Sequence, residues 1–381
     1  MPKIKKTIYA LVTLVGTIVG VGFFALPYIA SKVGIWTMLG YFLVLTPLVI
    51  IIHHFFGEVA LRTKDFLRLP SFAEIYLGRW GRRVALASSV FGLIGVSLAY
   101  IIIGGQFLSN LLIPVFGGSP LLYALVYFVF GAIMIFGGIG AISKIEFLDM
   151  VLFTIILIVL YFGAFHLMKN TNMLLGSGGA RDLFLPYGAI LFSLWGATLI
   201  PETEEMLREE KGSLKKIVSS SIIISAVFYL LFIVAVVFIS GAHTSREAIV
   251  GLKEFLGNGV ITLLLIFGLV VTFTSFVAMG LTLKKVFWYD LKIGENLSWA
   301  IACFVPFFLF LLGLQDFIKV IGLVGSVGLG IEGILIILMY RKLVETKNKN
   351  REESGRLVFL IYPLIAVLLL GVVYEIIYFI R

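Results

Sequence analysis

Two short stretches carry residue types that can do chemistry inside an otherwise apolar chain. One runs from Gly16 to Pro27 (GTIVGVGFFALP) and the other from Phe192 to Glu202 (FSLWGATLIPE). In each, a glycine stands five positions before a proline: Gly22 before Pro27, and Gly196 before Pro201. Glycine costs a helix interior about 1 kcal/mol and proline about 3 kcal/mol. Proline also removes a backbone donor and crowds the preceding turn. Both stretches are therefore expected to interrupt a helix, leaving donors at the start of the second half and acceptors at the end of the first.

An interrupted helix offers ligand groups without any charged side chain. Free N–H groups at Gly20, Val21, Gly22 and Phe23, together with the helix dipole, suit a carboxylate. Free carbonyls at Phe192, Ser193 and Leu194 suit an ammonium group. An anion site beside a cation site describes an α-amino acid. Tyr100 offers a hydroxyl to the carboxylate, and Phe24, Phe192 and Trp195 are candidates for the wall around the side chain. Most of the 34 Phe residues pack against lipid or core; Trp195 is singled out because it lies within the second interruption.

These stretches sit in a membrane protein. The chain is 60% hydrophobic and 13% charged over 381 residues, against about a quarter charged in soluble proteins. Surface-to-volume scaling leaves a large exterior at this size, and lipid is its natural solvent. A bilayer core needs about 20 apolar residues per helix. About eleven such spans are expected, near 7–31, 35–57, 84–112, 120–140, 146–168, 184–205, 216–240, 259–283, 296–313, 317–340 and 357–380. With the N-terminus cytoplasmic, 23 of the 30 Lys and Arg residues fall on the cytoplasmic side. That asymmetry is the positive-inside signal, and it places the C-terminus outside. The net charge of +9 is thus a topology device, and nucleic acid is excluded. The basic start followed by an apolar run is read as a retained span rather than a cleaved signal.

Irregular backbone survives in lipid only where it is buried in protein or lines a wet cavity. Interruptions at corresponding places in two halves point to a transporter site. The first and sixth spans lie five apart, so the halves run in opposite orientation. The expected architecture is a single transmembrane domain, all-α, with a 5+5 inverted repeat. Repeat one covers about 7–168, repeat two about 184–340, and an extra helix about 357–380. A faint second echo supports this: the stretch Ser71 to Gly78, with Ser71 and Glu74 as a capping box, matches Gly251 to Gly257.

These features resemble the amino acid/auxin permease family of the amino acid–polyamine–organocation superfamily. The resemblance is carried by GVGFFALPY (Gly20 to Tyr28), AYIIIGGQFL (Ala99 to Leu108) and FSLWGATLIPE. It implies the leucine-transporter-like fold with discontinuous helices 1 and 6. In sodium-coupled members of that fold, an adjacent Thr-Ser pair on helix 8 binds sodium with carbonyls of helix 1. The matching positions here are Thr274 and Ser275, with the carbonyls of Gly16, Val19 and Val271. Hard oxygen ligands suit such an ion; membrane Thr and Ser also bond their own helix. Proton-coupled relatives place a Lys on helix 5. Here Lys144 sits at that helix's entrance, which favours sodium over protons.

Acids inside spans are functional candidates by default. Glu332 lies deepest and is the candidate proton carrier. Glu202 follows Pro201 and is a candidate gate. Asp149 and Glu375 are expected to reach water near span ends, and His53 and His54 to lie at the interface. Cys303, the single cysteine, is a packing residue and excludes an intrachain disulfide. No HExxH, intramembrane aspartate pair or phosphate loop occurs, so neither an enzyme nor an ATP-driven pump is expected. No continuous polar stripe supports a channel. The expected activity is sodium-coupled movement of a neutral amino acid across the cytoplasmic membrane, with proton coupling or exchange as the alternative. Sodium is the only cofactor expected, and no obligate protein partner is evident. Phe24 and Trp195 favour a small or medium side chain, or stack on an aromatic one.

Overall fold

The computed structural model describes residues 3–63, 67–138, 151, 153–162, 176–207, 211–347 and 351–380. The described residues are helical, with turns and short 3-10 and π segments between helices. Eight stretches are long and apolar enough to cross a membrane, and a ninth is a pair bent by 47°. Two shorter apolar helices, Phe153–Phe162 and Glu295–Leu311, complete the series. An apolar helix thus stands at each expected span. Lys144 and Asp149 lie outside the described residues.

The bent pair is α1 (Lys3–Ile18) and α2 (Leu26–Val33), joined by a 3-10 turn, Val21–Ala25. Then follow α3 (Ile35–Arg62), α4 (Leu69–Phe116), α5 (Pro120–Gly137) and α6 (Phe153–Phe162). The second broken span is α7 (Leu185–Leu194), a 3-10 turn Ala197–Leu199, and α8 (Ile200–Met206). Next come α9 (Leu214–Ser240), α10 (Asn258–Lys285), α11 (Glu295–Leu311) and α12 (Phe317–Leu323). A π segment, Val324–Leu329, joins α12 to α13 (Gly330–Lys347), and α14 (Arg351–Ile380) closes the chain.

Both prolines act differently from the expectation. Pro27 and Pro201 occupy the first turn of α2 and α8, where a missing N–H has no intrahelical partner to lose. They start the second halves; the interruptions themselves fall at Val19-Gly20 and Trp195-Gly196. The capping box at Ser71 and Glu74 does not form. Arg68 is the N-cap of α4, Ser71 lies inside the helix, and the Glu74 carboxylate takes Arg82 at 2.9 Å. The break between that short amphipathic turn and the long third span is Gly78, at φ +76°, a conformation only glycine adopts cheaply.

The broken spans form the centre. α9 packs against α1, α2 and α3, while α4 packs against α5, α10 and α13. Polar residues in the interior are few. Lys284, expected at a cytoplasmic end, is buried in the last turn of α10 and paired with Glu295 at 2.9 Å. A buried charge persists when it is paired.

Candidate functional site between the broken helices

The two interruptions lie back to back. A methyl group on Gly22 would strike Ser193 Oγ and the Phe192 ring, so only glycine permits this approach. A Cβ on Gly20 would lie 3.2 Å from the Tyr100 hydroxyl. The structure therefore brings Gly20, Gly22, Tyr100, Phe192 and Ser193 to one place. Val21 and Phe23 belong to the 3-10 turn that opens the second half of the first span, whose first donors have no helical acceptor. The Gly20 N–H is already spent on the Ile18 carbonyl at 2.8 Å.

Aromatic rings wall this junction. Phe23 meets Phe24, Phe153 and Phe232 at centroid distances of 4.0, 4.7 and 5.1 Å. Phe24 meets Phe107 edge-on at 4.9 Å. Edge-to-face rings, as in the Phe23–Phe153, Phe23–Phe232 and Phe24–Phe107 pairs, add about 0.5–1.5 kcal/mol per pair beyond buried area.

Tyr229, on α9, ties the interruptions together. Its buried hydroxyl lies 2.7 Å from the Ile18 carbonyl and 2.9 Å from the Ser193 carbonyl, donating its one proton between them. Each carbonyl ends the first half of its span. One of the three carbonyls expected to receive an ammonium group, that of Ser193, is thus engaged by the protein. The carbonyls of Phe192 and Leu194 lie beside it on the last turn of α7.

His53 ties the second interruption to α3. Its Nδ1 lies 2.8 Å from the Val49 carbonyl, so this nitrogen carries the proton and donates. Nε2 is then bare and accepts the Gly196 N–H at 3.0 Å. The network assigns the neutral Nδ1–H tautomer. His53 is fully buried, edge-on to Trp195 at 5.0 Å, not interfacial as its place in the sequence suggests. His54 does face outward, with Nε2 2.9 Å from Ser219 Oγ and 3.1 Å from the Lys215 carbonyl.

Glu332 completes the junction from α13. The Trp195 Nε1–H donates to it at 3.2 Å and the Ser89 hydroxyl at 2.9 Å. It is buried, so Trp195, α4 and α13 meet at one carboxyl. Glu375 was expected to reach water; it is buried too, against Gly322 and 3.5 Å from Ser326 Oγ.

A cavity of about 270 Å³ runs from this junction to the surface. Thr17, Ser89, Ala197 and Glu332 line its deep end, and Arg68, Lys285 and Asp290 its mouth. Glu202 lines it between them, with Oε2 buried and without a hydrogen-bond partner among the described residues. At the other ends of these spans, Arg246 and Asp316 form an ion pair 2.9 Å apart. Asp316 beside it holds the Arg246 guanidinium protonated above its ordinary range.

The helix 8 positions fall on α10. The Thr274 hydroxyl lies 3.0 Å from the carbonyls of both Val270 and Val271. Ser275 is half-buried beside it. Gly16 and Val19 are both buried near the end of the first half-span.

Tyr229 and His53 were missed by sequence reasoning. Their one local signal is polarity at membrane depth, a hydroxyl and an imidazole inside apolar spans; their partners are 211 and 143 residues away.

Known proteins agree with this geometry. The sequence profile of the family described as "Transmembrane amino acid transporter protein" matches residues 4–381. The tyrosine-specific transport system 1 of Haemophilus influenzae is 25% identical over 352 residues, 84% of each chain. Among solved structures, the inward-facing conformation of Mhp1 superposes with a TM-score of 0.69 at 12% identity, covering 98% of this chain and 89% of that one. MhsT in complex with L-phenylalanine gives 0.68 at 16% identity, covering 96% and 98%. At these identities the structural matches establish the fold, the leucine-transporter-like one expected from the sequence. These relatives are membrane transporters, not enzymes. Matched along nearly its whole length, the chain belongs to the transmembrane amino acid transporter family.

Proposed function

We propose that the chain moves a neutral, aromatic amino acid across the cytoplasmic membrane by alternating access between its two broken spans. The observation that carries this is the junction itself. Two interrupted helices meet back to back beneath an aromatic wall, with a cavity leading away on one side and an ion pair across the other. The cavity mouth holds Arg68 and Lys285, so charge asymmetry makes it the cytoplasmic side, with the N-terminus inside and the C-terminus outside. The two five-helix repeats, about 7–168 and 184–340, run in opposite orientation, and the final span is an addition.

In this reading the substrate carboxylate takes the N–H groups of Val21, Gly22 and Phe23 with the Tyr100 hydroxyl. The ammonium takes the carbonyls of Phe192 and Leu194. Phe24, Phe192 and Trp195 hold the side chain. The 25% identity to a tyrosine-specific transport protein supports an aromatic substrate.

Sodium is the proposed coupling ion, held by Thr274, Ser275 and the carbonyls of Gly16, Val19 and Val271. Thr274 Oγ1 stands with two carbonyl oxygens at 3.0 Å, one of them that of Val271. Proton coupling is the second reading, favoured by Glu332, a buried carboxyl bonded to the second interruption itself.

Purified protein in liposomes, given labelled tyrosine, phenylalanine and leucine under separate inward sodium and proton gradients, tests the proposal. Uptake that follows sodium and is lost in the Thr274→Ala, Ser275→Ala pair supports the sodium reading. Uptake that follows protons and loses its pH dependence in Glu332→Gln replaces it. A folded preparation that takes up none of the three under either gradient sinks the substrate assignment.

A further inference from the structure

The helix that carries Tyr100 has an outer face that the central site does not use. Past the kink at Gly78, α4 sorts its residues by side. Gly81, Ala85, Ser88 and Gly92 are buried against the helices it packs on. Arg79, Trp80, Arg83, Val84, Ala87 and Phe91 are exposed. At about 100° per residue the exposed set falls in one arc, opposite the buried set. Further into the span, with Val84 and Phe91, this arc is plain lipid-facing surface. Its first turn is different. Arg79 and Arg83 stand there with Trp80, which is 53% exposed. Among the described residues neither arginine has an ion pair or a hydrogen bond. Glu74, the acid on the preceding turns, is taken by Arg82 at 2.9 Å. Residues i and i+4 are surface neighbours on a helix, about 5–6 Å apart at Cβ, so one phosphate group reaches both free guanidinium groups.

Depth decides which phosphate that is. From Arg83 to Phe116 the helix rises about 50 Å. A bilayer measures about 30 Å across its hydrocarbon core and about 40–45 Å with its headgroups. With Phe116 at the far interface, Arg79, Trp80 and Arg83 stand in the headgroup layer. An exposed Trp belongs there, and arginine stems lie along apolar surface while their heads reach polar groups. Guanidinium pairs with phosphate through parallel charge-assisted hydrogen bonds. A zwitterionic headgroup would bring its own ammonium to two fixed cations; an anionic one does not.

We propose that Arg79, Trp80 and Arg83 form a docking site for the headgroup of an anionic phospholipid. Its phosphate accepts from both arginines, and its acyl chains run along Val84, Ala87 and Phe91. On the orientation proposed above, the lipid belongs to the cytoplasmic leaflet. The site begins one residue past Gly78, whose kink leads to Arg68 and Pro70 at the cavity mouth. A bound lipid therefore anchors the end of α4 beside that mouth.

The test is native mass spectrometry of the full chain in detergent, titrated with phosphatidylglycerol or with phosphatidylcholine. The first phosphatidylglycerol is expected to bind more tightly than the first phosphatidylcholine. A basic residue at an anionic surface is worth about a fivefold gain, so the Arg79→Gln, Arg83→Gln pair should lose roughly 30-fold in phosphatidylglycerol affinity. Both side chains are exposed and unpaired among the described residues, so the melting temperature should not change. The Lys216→Gln, Lys342→Gln pair removes the same charge from two exposed residues elsewhere and is expected to keep the preference. Equal affinity of the parent chain for the two lipids overturns the proposal. An undiminished preference in the arginine pair overturns it too. An equal loss in the lysine pair makes the effect one of net charge and overturns it as well. The experiment reads lipid binding alone, so its failure is distinct from a failure of the transport reading, which shows only in amino acid uptake.

Discussion

Replacing Tyr229 by Phe removes one oxygen and keeps the ring that stacks 6.3 Å from Phe23. The lost proton was shared between the carbonyls of Ile18 and Ser193, at 2.7 and 2.9 Å. The Ile18 carbonyl keeps the Gly20 N–H at 2.8 Å, whereas the Ser193 carbonyl ends its half-helix and is the acceptor left short of a donor. Leaving a buried acceptor unmade costs about 1–3 kcal/mol, while hydrogen bonds inside membrane proteins average about 0.6 and reach about 1.7 kcal/mol. A local cost of about 1–2 kcal/mol follows, worth roughly a 5–30-fold change in an opening equilibrium. The assay is hydrogen exchange read by mass spectrometry. Peptides over 14–26 and 190–200 should exchange roughly 5–30 times faster, while peptides from α5 stay unchanged. Faster exchange throughout the chain would mean general unfolding rather than a lost tie. Unchanged exchange at both interruptions, with unchanged uptake, would refute the claim that this hydroxyl holds them together.

Four further substitutions test the same geometry. Gly22→Ala, whose methyl meets Ser193 Oγ and the Phe192 ring, should cost about 1–3 kcal/mol by overpacking and abolish uptake in liposomes. Gly40→Ala, with no atom within 4 Å of its Cβ, should leave uptake intact and the melting temperature no lower. His53→Leu orphans the Gly196 N–H and should cost about 1–3 kcal/mol, read as a lower melting temperature in detergent. Asp316→Asn keeps the cap on Ile318 and Lys319 but loses the Arg246 pair. Both partners are partly exposed, so the expected change is at most about 1 kcal/mol. Accessibility of a cysteine placed at the Tyr28 face should rise by no more than roughly fivefold.

Most of the architecture could be read from local signals. Apolar runs mark helices because every backbone group must be satisfied within the segment, and Gly22 and Gly196 marked the interrupted stretches because glycine is the weak point of any helix; the first break falls two residues earlier, at Gly20. The prolines misled in detail: they mark where a helix restarts, not where it stops. The junction was half legible. Gly20, Tyr100, Phe192 and Ser193, singled out from their motifs, lie together at the junction. The ties that hold them, Tyr229 and His53, act on partners that no local pattern announces. Glu375 was misplaced for a related reason. Distance from a span end predicts exposure only when no other helix covers the residue, and α12 supplies that cover.

The π segment at Val324–Leu329 has a mechanical meaning. A π turn holds one residue more than the α turns around it. Straightening it to α geometry passes that residue along the chain and rotates everything beyond by roughly 100°, the angle of one residue in a 3.6-fold helix. Glu332 begins three residues past the segment, so the same slip would swing its carboxyl off Ser89 and Trp195 and onto a different neighbour. The spare residue in the tenth span thus sets which groups of its second half face the second interruption.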